Sequence, residues 1–356
     1  MKKLNVFIGG STYLDFSLDK NYSYNNQLLE AFHQHGFKFC DIKTSDWLIC
    51  INHSRKDLYS FLKQRKSSAN TILIRTEPYA VFPAQYKARI EDKYGLIITY
   101  GRKENTTGKF YEVEHPYTYL PNPNLQMMRG KNLQEIFGSP DFRELFTIEN
   151  WKTRPIYLSL IASNKVSATS NSNYQIRRDL AQNSKFNQLE IYGKFWNGSS
   201  AEKLMHRLSV LKFSVRAGFI PNITSVYGNF FQNYENYIGQ VPDKHLIVRQ
   251  SKFSLVVENS SDYVSEKLFD ALMNGSIPLY YGPNLENMGV PGNQIALEFN
   301  GTSEGLEKQI SGITEKEVSM HLKSSKEYLE SASFLSKWTE QNVYRKIIKK
   351  IQKFCS

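Results

Sequence analysis

The sequence predicts an α/β protein of two domains, each built around a parallel β-sheet. Its 356 residues exceed the size at which a single hydrophobic core usually stops growing. In both halves of the chain, short apolar runs alternate with helical patterns, and this alternation is typical of successive βα units. Between the halves the pattern is interrupted by Pro121, Pro123 and Pro140, which indicates a connection between domains.

The first series of βα units begins at the start of the chain. Its apolar runs predict strands at 4–10, 37–42, 47–51, 71–75 and 95–100. Helical patterns lie at 25–35 and 85–92, and Gly36 stands where a helix C-cap is expected. Strands that alternate with helices in this way are expected to pair in parallel.

The second series of βα units follows the connection. Its apolar runs predict strands at 155–162, 188–192, 253–257 and 276–281. Helices are predicted at 174–182 and 263–274. The second of these helices and its two flanking strands form a βαβ crossover, in which Asp262 is the expected N-cap and Gly275 the expected C-cap.

These patterns divide the chain into four parts. We expect an N-terminal domain at 1–125, a linker at 126–152, a second domain at 153–315 and C-terminal helices at 316–356. The last helix is basic and amphipathic, with apolar residues on one side and lysines and arginines elsewhere. It could pack on the protein or make a peripheral contact with an acidic membrane.

The composition is that of a globular protein with an anionic partner. Hydrophobic residues make up 40% of the chain and charged residues 22%, which excludes a disordered class. The net charge of +11 favours a nucleotide phosphate, an acidic lipid headgroup or a nucleic acid as partner, without choosing among them. Because the basic residues are scattered outside the last helix and no nucleic-acid module is recognisable, we expect no nucleic-acid partner.

The cysteines and the N-terminus indicate a cytoplasmic location. Cys40, Cys50 and Cys355 form neither a disulfide framework nor a metal-ligand pattern. The apolar run at the N-terminus ends at Gly9, which is too short for a signal peptide or an anchor, and no other run is long enough to span a bilayer. We therefore expect a cytoplasmic protein, either free or peripheral at the inner face of a bacterial membrane.

The turn after the strand at 253–257 is the best candidate for binding phosphate. Ligands of parallel α/β sheets bind beyond the carboxyl ends of the strands, where the start of a helix offers free N–H groups. Glu266 and Lys267 follow this turn about 100° apart around the helix. Lys267 could neutralise a diphosphate and Glu266 could accept hydrogen bonds from sugar or ribose hydroxyls, but spacing alone favours a solvated surface helix.

The same region resembles the signature of the α1,3/α1,4-fucosyltransferase family. In the run DYVSEKLFDALMNGSIPLYYGP at 262–283, an aromatic residue, a hydroxyl residue, Glu and Lys open a helix, as they do in that family. The preceding KFSLVVENS matches the family's strand and its Glu-Asn-Ser. Weaker similarities lie, in the family's order, at 75–78, 116–121, 160–164 and 176–178. The stretch 194–243 departs from the family pattern.

The resemblance implies a GT-B fold, in which two Rossmann-like domains with parallel sheets face each other across a cleft. It implies an inverting transfer of L-fucose from GDP-fucose, bound by the second domain, to a glycan hydroxyl bound by the N-terminal domain. It also implies that neither a metal nor another cofactor takes part. The sequence agrees with a metal-free reaction in that it has no Asp-x-Asp pair.

The donor-binding residues follow from the resemblance, position by position. Arg177 and Lys267 would bind the diphosphate and stabilise the departing GDP. Asn259, Tyr263 and Glu266 would make further contacts with the donor. From the residue types alone, Asn259 could equally be a turn residue and Tyr263 an anchor of the helix start.

The resemblance assigns the catalytic base to Glu77 in the segment Arg75-Thr76-Glu77-Pro78. An alternative is a strand-end carboxylate paired with Arg75. Glu77 lies in the first domain, so the predicted site needs residues from both domains.

The residues named above concern the catalytic base and donor binding, and they do not specify the acceptor or which GDP-linked deoxyhexose is transferred. The resemblance favours an α1,3 or α1,4 linkage to a GlcNAc-type sugar of a bacterial surface polysaccharide or lipopolysaccharide. Transfer of another GDP-deoxyhexose is an alternative within the same class. Alternatives of another class are a basic nucleic-acid-binding protein and a non-catalytic glycan-binding protein.

Overall fold

The computed structural model describes most of the chain in two compact units. The described residues are 4–10, 24–64, 66–100, 109–117, 133–167, 169, 171–183, 188–197, 201, 203–205, 208, 211, 233–241 and 243–356. The first unit is Met1–Thr118 with Ser336–Ser356, and the second is Tyr119–Leu335. The C-terminal end of the chain thus belongs to the first unit, whereas the domain limits given above stay predictions.

The first unit is built on a six-stranded parallel sheet with the strand order β2-β1-β3-β4-β5-β6. The strands are β1 (Leu4–Gly10), β2 (Phe37–Phe39), β3 (Trp47–Ile51), β4 (Thr71–Arg75), β5 (Leu96–Tyr100) and β6 (Phe110–Val113). Strands β4 and β5 are buried along their whole length, and β3 along nearly all of it. They are uninterrupted apolar runs because a parallel sheet covered by helices exposes neither face.

Short helices connect these strands. They are α1 (Tyr24–Gln34), α2 (Arg55–Leu62), α3 (Ala88–Glu91) and the 3-10 helices Ser68–Asn70 and Pro83–Tyr86. The prediction of a single helix at 85–92 is wrong, because Lys87 has an extended backbone that separates the 3-10 helix Pro83–Tyr86 from α3. Pro83 favours the early start, since its fixed φ suits the first turn of a helix.

The second unit is built on another six-stranded parallel sheet, with the order β12-β11-β10-β7-β8-β9. The strands are β7 (Ile156–Ile161), β8 (Leu189–Tyr192), β9 (Tyr237–Gly239), β10 (Ser251–Val257), β11 (Ile277–Tyr281) and β12 (Leu297–Glu298). Strand β9 lies in the stretch 194–243, most of which is outside the described residues. The α/β class with two parallel sheets is confirmed.

Helices surround this sheet and lead into it. They are α4 (Leu133–Gly138), α5 (Pro140–Glu144), α6 (Ile148–Thr153), α7 (Tyr174–Asn183), α8 (Lys244–Gln250), α9 (Glu266–Met273), α10 (Gly292–Ile295), α11 (Ser303–Ser311), α12 (Glu315–Glu330) and α13 (Ala332–Trp338). Pro140, which interrupts the apolar pattern, occupies the first turn of α5 behind the N-cap Ser139. Among the helices of the described residues, none has the length and apolar composition that crossing a membrane requires.

The predicted βαβ crossover is present, but its helix starts later than expected. Strands β10 and β11 pair in parallel, and α9 connects them. The N-cap is Ser265 and not Asp262, because the Ser265 hydroxyl accepts a hydrogen bond from the backbone N–H of Lys267. Gly275 follows the helix with a φ of +65°, and a Cβ there would lie 2.3 Å from the carbonyl oxygen of Leu145. Glycine is therefore required at this C-terminal end.

The last helix, α14 (Glu340–Cys355), packs its apolar side into the core of the first unit. Its side chains in the cluster shared with β1, β3, β4 and β5 are Val343, Tyr344, Ile347, Ile348 and Ile351. On its polar side, the Lys346 ammonium lies 2.9 Å from the Glu114 carboxylate. Packing on the protein thus accounts for the apolar side, while a contact of the helix's lysines with a membrane stays a prediction.

We expect Ile347→Ala to destabilise the first unit by about 2–5 kcal/mol, because truncating a buried branched side chain removes apolar contacts and leaves a cavity. Ile347 is 0% exposed. Lys349 is exposed on the same helix, so the control Lys349→Ala should change stability by less than about 0.5 kcal/mol. Urea unfolding followed by tryptophan fluorescence measures both changes. Equal stabilities of the two variants would contradict the packing of α14.

Candidate functional site

The carboxyl edge of the second sheet carries a buried acid at the end of β10. Glu258 directly follows Val257, and its backbone N–H donates to the carbonyl oxygen of Tyr281 at 2.8 Å. The Glu258 side chain is 0% exposed. Ligands of parallel α/β sheets bind beyond this edge, so the candidate turn begins where such a ligand would lie.

The Glu258 carboxylate is held by residues at the start of α9. Its Oε1 accepts a hydrogen bond from the Ser265 backbone N–H at 2.8 Å, and its Oε2 accepts one from the Ser265 hydroxyl at 2.5 Å. The Lys267 ammonium lies 3.3 Å from Oε2. A buried carboxylate without partners would be costly, so these contacts draw Ser265 onto the strand end and close the loop between them.

Lys267 lies over the start of α9 instead of extending into solvent. Its Nζ donates to the Ser265 hydroxyl oxygen at 2.7 Å, besides the ion pair with Glu258. The Lys267 side chain is 21% exposed. An ammonium group has three protons, and these two contacts with described residues leave one of them for a further acceptor.

Arg177 reaches the same strand end from the first turns of α7. Its Nε and Nη2 donate to the carbonyl oxygen of Val257 at 3.1 and 2.5 Å, and Nη2 also donates to Asn259 Oδ1 at 2.8 Å. The guanidinium lies 5.0 Å from the ring centre of Tyr174. These contacts fix the plane of the guanidinium, and none of the described residues accepts a hydrogen bond from Nη1.

Four neighbouring side chains affect the pKa of Arg177. Burial lowers the pKa of Arg177, and the nearby Tyr174, Glu258, Tyr263 and Glu266 oppose this shift. Tyr263 is buried, whereas Glu266 is half-buried. The guanidinium stays charged because its pKa is far above neutrality in any protein environment. It is therefore a fixed positive charge at the carboxyl edge.

Arg178, the next residue of α7, points elsewhere. Its Nε and Nη2 donate to Gln175 Oε1 at 3.0 and 2.8 Å, and its Nη1 donates to the carbonyl oxygen of Lys165 at 2.8 Å. Consecutive helical residues diverge by about 100°. The two arginines therefore separate, and Arg177 is the one beside Asn259.

The structure thus brings the predicted donor residues of the second unit together. Arg177 contacts Asn259 directly and has Tyr263 and Glu266 as electrostatic neighbours. Lys267 is joined to this group through Glu258. Their roles toward a donor stay predictions.

Sequence reasoning did not name Glu258 and Ser265 as site residues. The signal was an acid directly after the apolar run KFSLVV, at a position where burial is expected. A hydroxyl residue just before Glu266 was the matching donor. Neither signal shows that the two side chains bond, because that depends on how the loop closes.

The predicted base, Glu77, lies just after β4 at the carboxyl edge of the first sheet and is half-buried. Its carbonyl oxygen accepts hydrogen bonds from Gln85 Nε2 and from the Tyr86 hydroxyl, both at 3.0 Å. Arg75, at the end of β4, is fully buried and its Nη2 lies 2.7 Å from the Glu91 carboxylate. Arg75 therefore has a carboxylate partner other than Glu77.

His53 lies at the neighbouring strand end, after β3. Its Nδ1 lies 2.9 Å from the Tyr94 hydroxyl. Burial lowers the pKa of His53 to about 4, and the positive charges of Lys93 and Arg75 contribute to the same shift. The imidazole is therefore neutral at physiological pH. No motif or spacing in the sequence distinguishes this histidine from the other six.

Sequence comparison relates the second unit to fucosyltransferases. Residues 222–303 match the family model described as glycosyltransferase family 10 (fucosyltransferase), C-terminal part. The 4-galactosyl-N-acetylglucosaminide 3-alpha-L-fucosyltransferase 9 of Mus musculus is 38% identical over 86 residues, which make up 22% of this chain and 22% of that protein. The GDP-fucose protein O-fucosyltransferase 3 of Danio rerio is 44% identical over 61 residues, 16% of this chain and 13% of that protein. The chain thus spans 22% or less of the length of these relatives.

Structural comparison covers nearly the whole chain. A crystal structure of an alpha1,3-fucosyltransferase superimposes with a TM-score of 0.52 at 14% identity, covering 99% of this chain and 90% of that one. HepE of Anabaena, in complex with UDP and glucose, gives a TM-score of 0.55 at 7% identity, covering 98% and 100%. At such identities the likeness shows the fold, and the predicted GT-B class is confirmed.

The resemblance to the fucosyltransferase family is confirmed by the family match. Asn259, Tyr263, Glu266 and Lys267 lie inside the matched residues, while Arg177 and Glu77 lie outside them.

We expect Ser265→Ala to destabilise the second unit by about 1–3 kcal/mol, because it removes the N-cap of α9 and a donor to the buried Glu258 carboxylate. Ser265→Thr keeps the hydroxyl and is the matched control. It should lose less stability than Ser265→Ala. Thermal unfolding of both variants measures the difference, and an alanine variant as stable as the threonine variant would contradict this role of the hydroxyl.

Proposed function

We propose that this chain is an inverting fucosyltransferase that moves L-fucose from GDP-fucose to a hydroxyl group of a glycan. One observation carries the proposal. Arg177 donates a hydrogen bond to the Asn259 side chain at 2.8 Å, across 82 positions of sequence. This contact adds a fixed positive charge to the segment that matches the fucosyltransferase model. A cation beside a helix start at the carboxyl edge of a parallel sheet is suited to a nucleotide diphosphate.

Arg177 and Lys267 bind the diphosphate in this proposal. The Nη1 side of the Arg177 guanidinium and the third proton of the Lys267 ammonium supply charge-assisted hydrogen bonds to phosphate oxygens. Because both cations are already held by protein oxygens, they need little reorganisation when negative charge develops on the leaving GDP. These two residues take the place of a metal, so the transfer needs none.

The remaining donor residues contact the sugar and the nucleoside. Glu266, at the start of α9, accepts hydrogen bonds from donor hydroxyls. Asn259 is oriented by its bond from Arg177, and Tyr263 packs against the donor. A donor that carries another GDP-linked deoxyhexose is the alternative within this class.

Glu77 acts as the general base. Its carboxylate takes the proton of the acceptor hydroxyl as that oxygen attacks the anomeric carbon, and the bond to GDP breaks with its electron pair leaving on the phosphate oxygen. Attack from the face opposite the leaving group inverts the anomeric configuration. The fixed backbone of Glu77 supports this role, because a base must be held within hydrogen-bond reach of the proton it removes.

The acceptor we propose is a GlcNAc-type sugar of a bacterial surface polysaccharide or lipopolysaccharide, joined by an α1,3 or α1,4 linkage. The name of the Mus musculus relative specifies an N-acetylglucosaminide acceptor, which supports this choice. The Danio rerio relative is named for a protein acceptor. A screen of glycan and peptide acceptors with released GDP as readout separates these classes. The setting we propose is the cytoplasmic face of the membrane, with a peripheral contact through the lysines of α14.

GDP should raise the melting temperature of the protein, whereas UDP and random-sequence DNA at equal concentration should not.

Lys267→Ala should weaken GDP binding about 10- to 100-fold, because it removes a charge-assisted contact with phosphate. Lys308→Ala, at an exposed position of the same unit, is the matched control and should bind normally. Calorimetric titration measures these affinities. Stabilisation by DNA without stabilisation by GDP would overturn the donor site, and a normal affinity of Lys267→Ala would remove Lys267 from it.

Glu77→Gln should reduce the transfer rate at least about 100-fold while GDP binds with unchanged affinity, since the substitution removes the base and keeps the side-chain shape. GDP release with and without acceptor measures the rate, and calorimetry measures the affinity. If rate and affinity fall together, Glu77 has a structural role instead.

A further inference from the structure

The buried side chain of Gln85 joins the two strand ends next to Glu77. Gln85 is 0% exposed. Its Oε1 accepts a hydrogen bond from the backbone N–H of His53 at 3.3 Å, and its Nε2 donates to the carbonyl oxygen of Glu77 at 3.0 Å. The carboxamide therefore connects the backbone that follows β3 with the backbone that follows β4.

Gln85 is itself fixed to strand β4. It lies in the 3-10 helix Pro83–Tyr86, and its carbonyl oxygen accepts a hydrogen bond from Arg75 Nη2 at 2.5 Å. The Arg75 guanidinium also lies 4.3 Å from the ring centre of Tyr86. Because Arg75 is the last residue of β4, the sheet holds the 3-10 helix directly beside the residues that follow the strand.

The Glu77 backbone is restrained from two more sides. The Tyr86 hydroxyl donates to the same carbonyl oxygen as Gln85 does, at 3.0 Å. Pro78 follows Glu77, and a residue before proline is restricted to extended conformations. Two donors on one carbonyl group fix the orientation of its peptide plane, and with it the direction in which the Glu77 side chain leaves the backbone.

We propose that Gln85 is a positioning residue for Glu77. The Gln85 side chain holds the Glu77 backbone so that the Glu77 carboxylate meets the acceptor hydroxyl. This inference rests on the proposed function, because the placement matters for transfer only if Glu77 is the base. Misplacing a catalytic group by about 1 Å can cost about 100-fold in rate. Binding of GDP should not depend on Gln85, because the proposed donor residues belong to the other unit.

The test uses Gln85→Met, which has similar length and volume but can neither accept from His53 nor donate to Glu77. We expect kcat to fall about 100-fold, with the KM for GDP-fucose and the affinity for GDP within about twofold of wild type. The same substitution in the Glu77→Gln background should have almost no further effect on kcat, because no base is left to position. Steady-state kinetics with released GDP as readout and calorimetry with GDP measure these quantities.

Tyr86→Phe provides the second variant. It removes the hydroxyl that donates to the Glu77 carbonyl oxygen and keeps the ring, so kcat should fall about fivefold in the wild-type background and stay unchanged in the Glu77→Gln background. If Gln85→Met does not fold, kcat of Tyr86→Phe in the wild-type and Glu77→Gln backgrounds tests the same positioning role.

Equal loss of kcat in both backgrounds would overturn the positioning role and make Gln85 a general structural residue. Wild-type kcat in Gln85→Met would overturn it as well. Failure of the proposed function is a different result: Glu77→Gln by itself would then retain full transfer.

Discussion

The candidate donor site depends on one buried charge, the carboxylate of Glu258. Placed at the end of a central strand, it is removed from water and must find donors within the protein. The backbone and hydroxyl of Ser265 and the ammonium of Lys267 supply them. Meeting this requirement sets where the loop after β10 closes, where α9 begins and where Lys267 lies. The elements around the site are thus arranged by this electrostatic constraint in addition to apolar packing.

The first unit contains a buried charge of the opposite sign in a comparable place. Arg75 ends β4 and is fully buried, with Glu91 and the Gln85 carbonyl oxygen as partners and the ring of Tyr86 beside its guanidinium. These contacts bring the 3-10 helix next to the residues that follow the strand. In both units, a buried ion therefore holds irregular backbone at the carboxyl edge of a sheet, where loops usually carry the functional residues.

Sequence patterns predict strands best where both faces of the strand are buried. The strands predicted at 47–51 and 71–75 match β3 and β4, and the one predicted at 253–257 lies within β10, because a covered parallel sheet requires continuous apolar runs. The start of α9 was misplaced, since both Asp262 and Ser265 are suitable N-cap residues by type. Ser265 is selected because it also satisfies Glu258, a contact across seven positions that local propensity does not contain. The helix predicted at 85–92 is divided at Lys87, whose backbone is extended, and Gln85 belongs to the preceding 3-10 helix, where its carbonyl oxygen accepts a hydrogen bond from Arg75.

The sequence by itself determined the α/β class, nine of the twelve strands in the described residues and the identity of the segment that resembles fucosyltransferases. These depend on local composition, on periodicity and on a contiguous motif, all of which are written along the chain. The tertiary structure decided which side chains meet: Arg177 with Asn259, Glu258 with Ser265, and Gln85 with the backbone of Glu77. Such pairs join loops at the ends of neighbouring elements. Their partners are chosen by the need to satisfy buried polar groups once the sheets have formed.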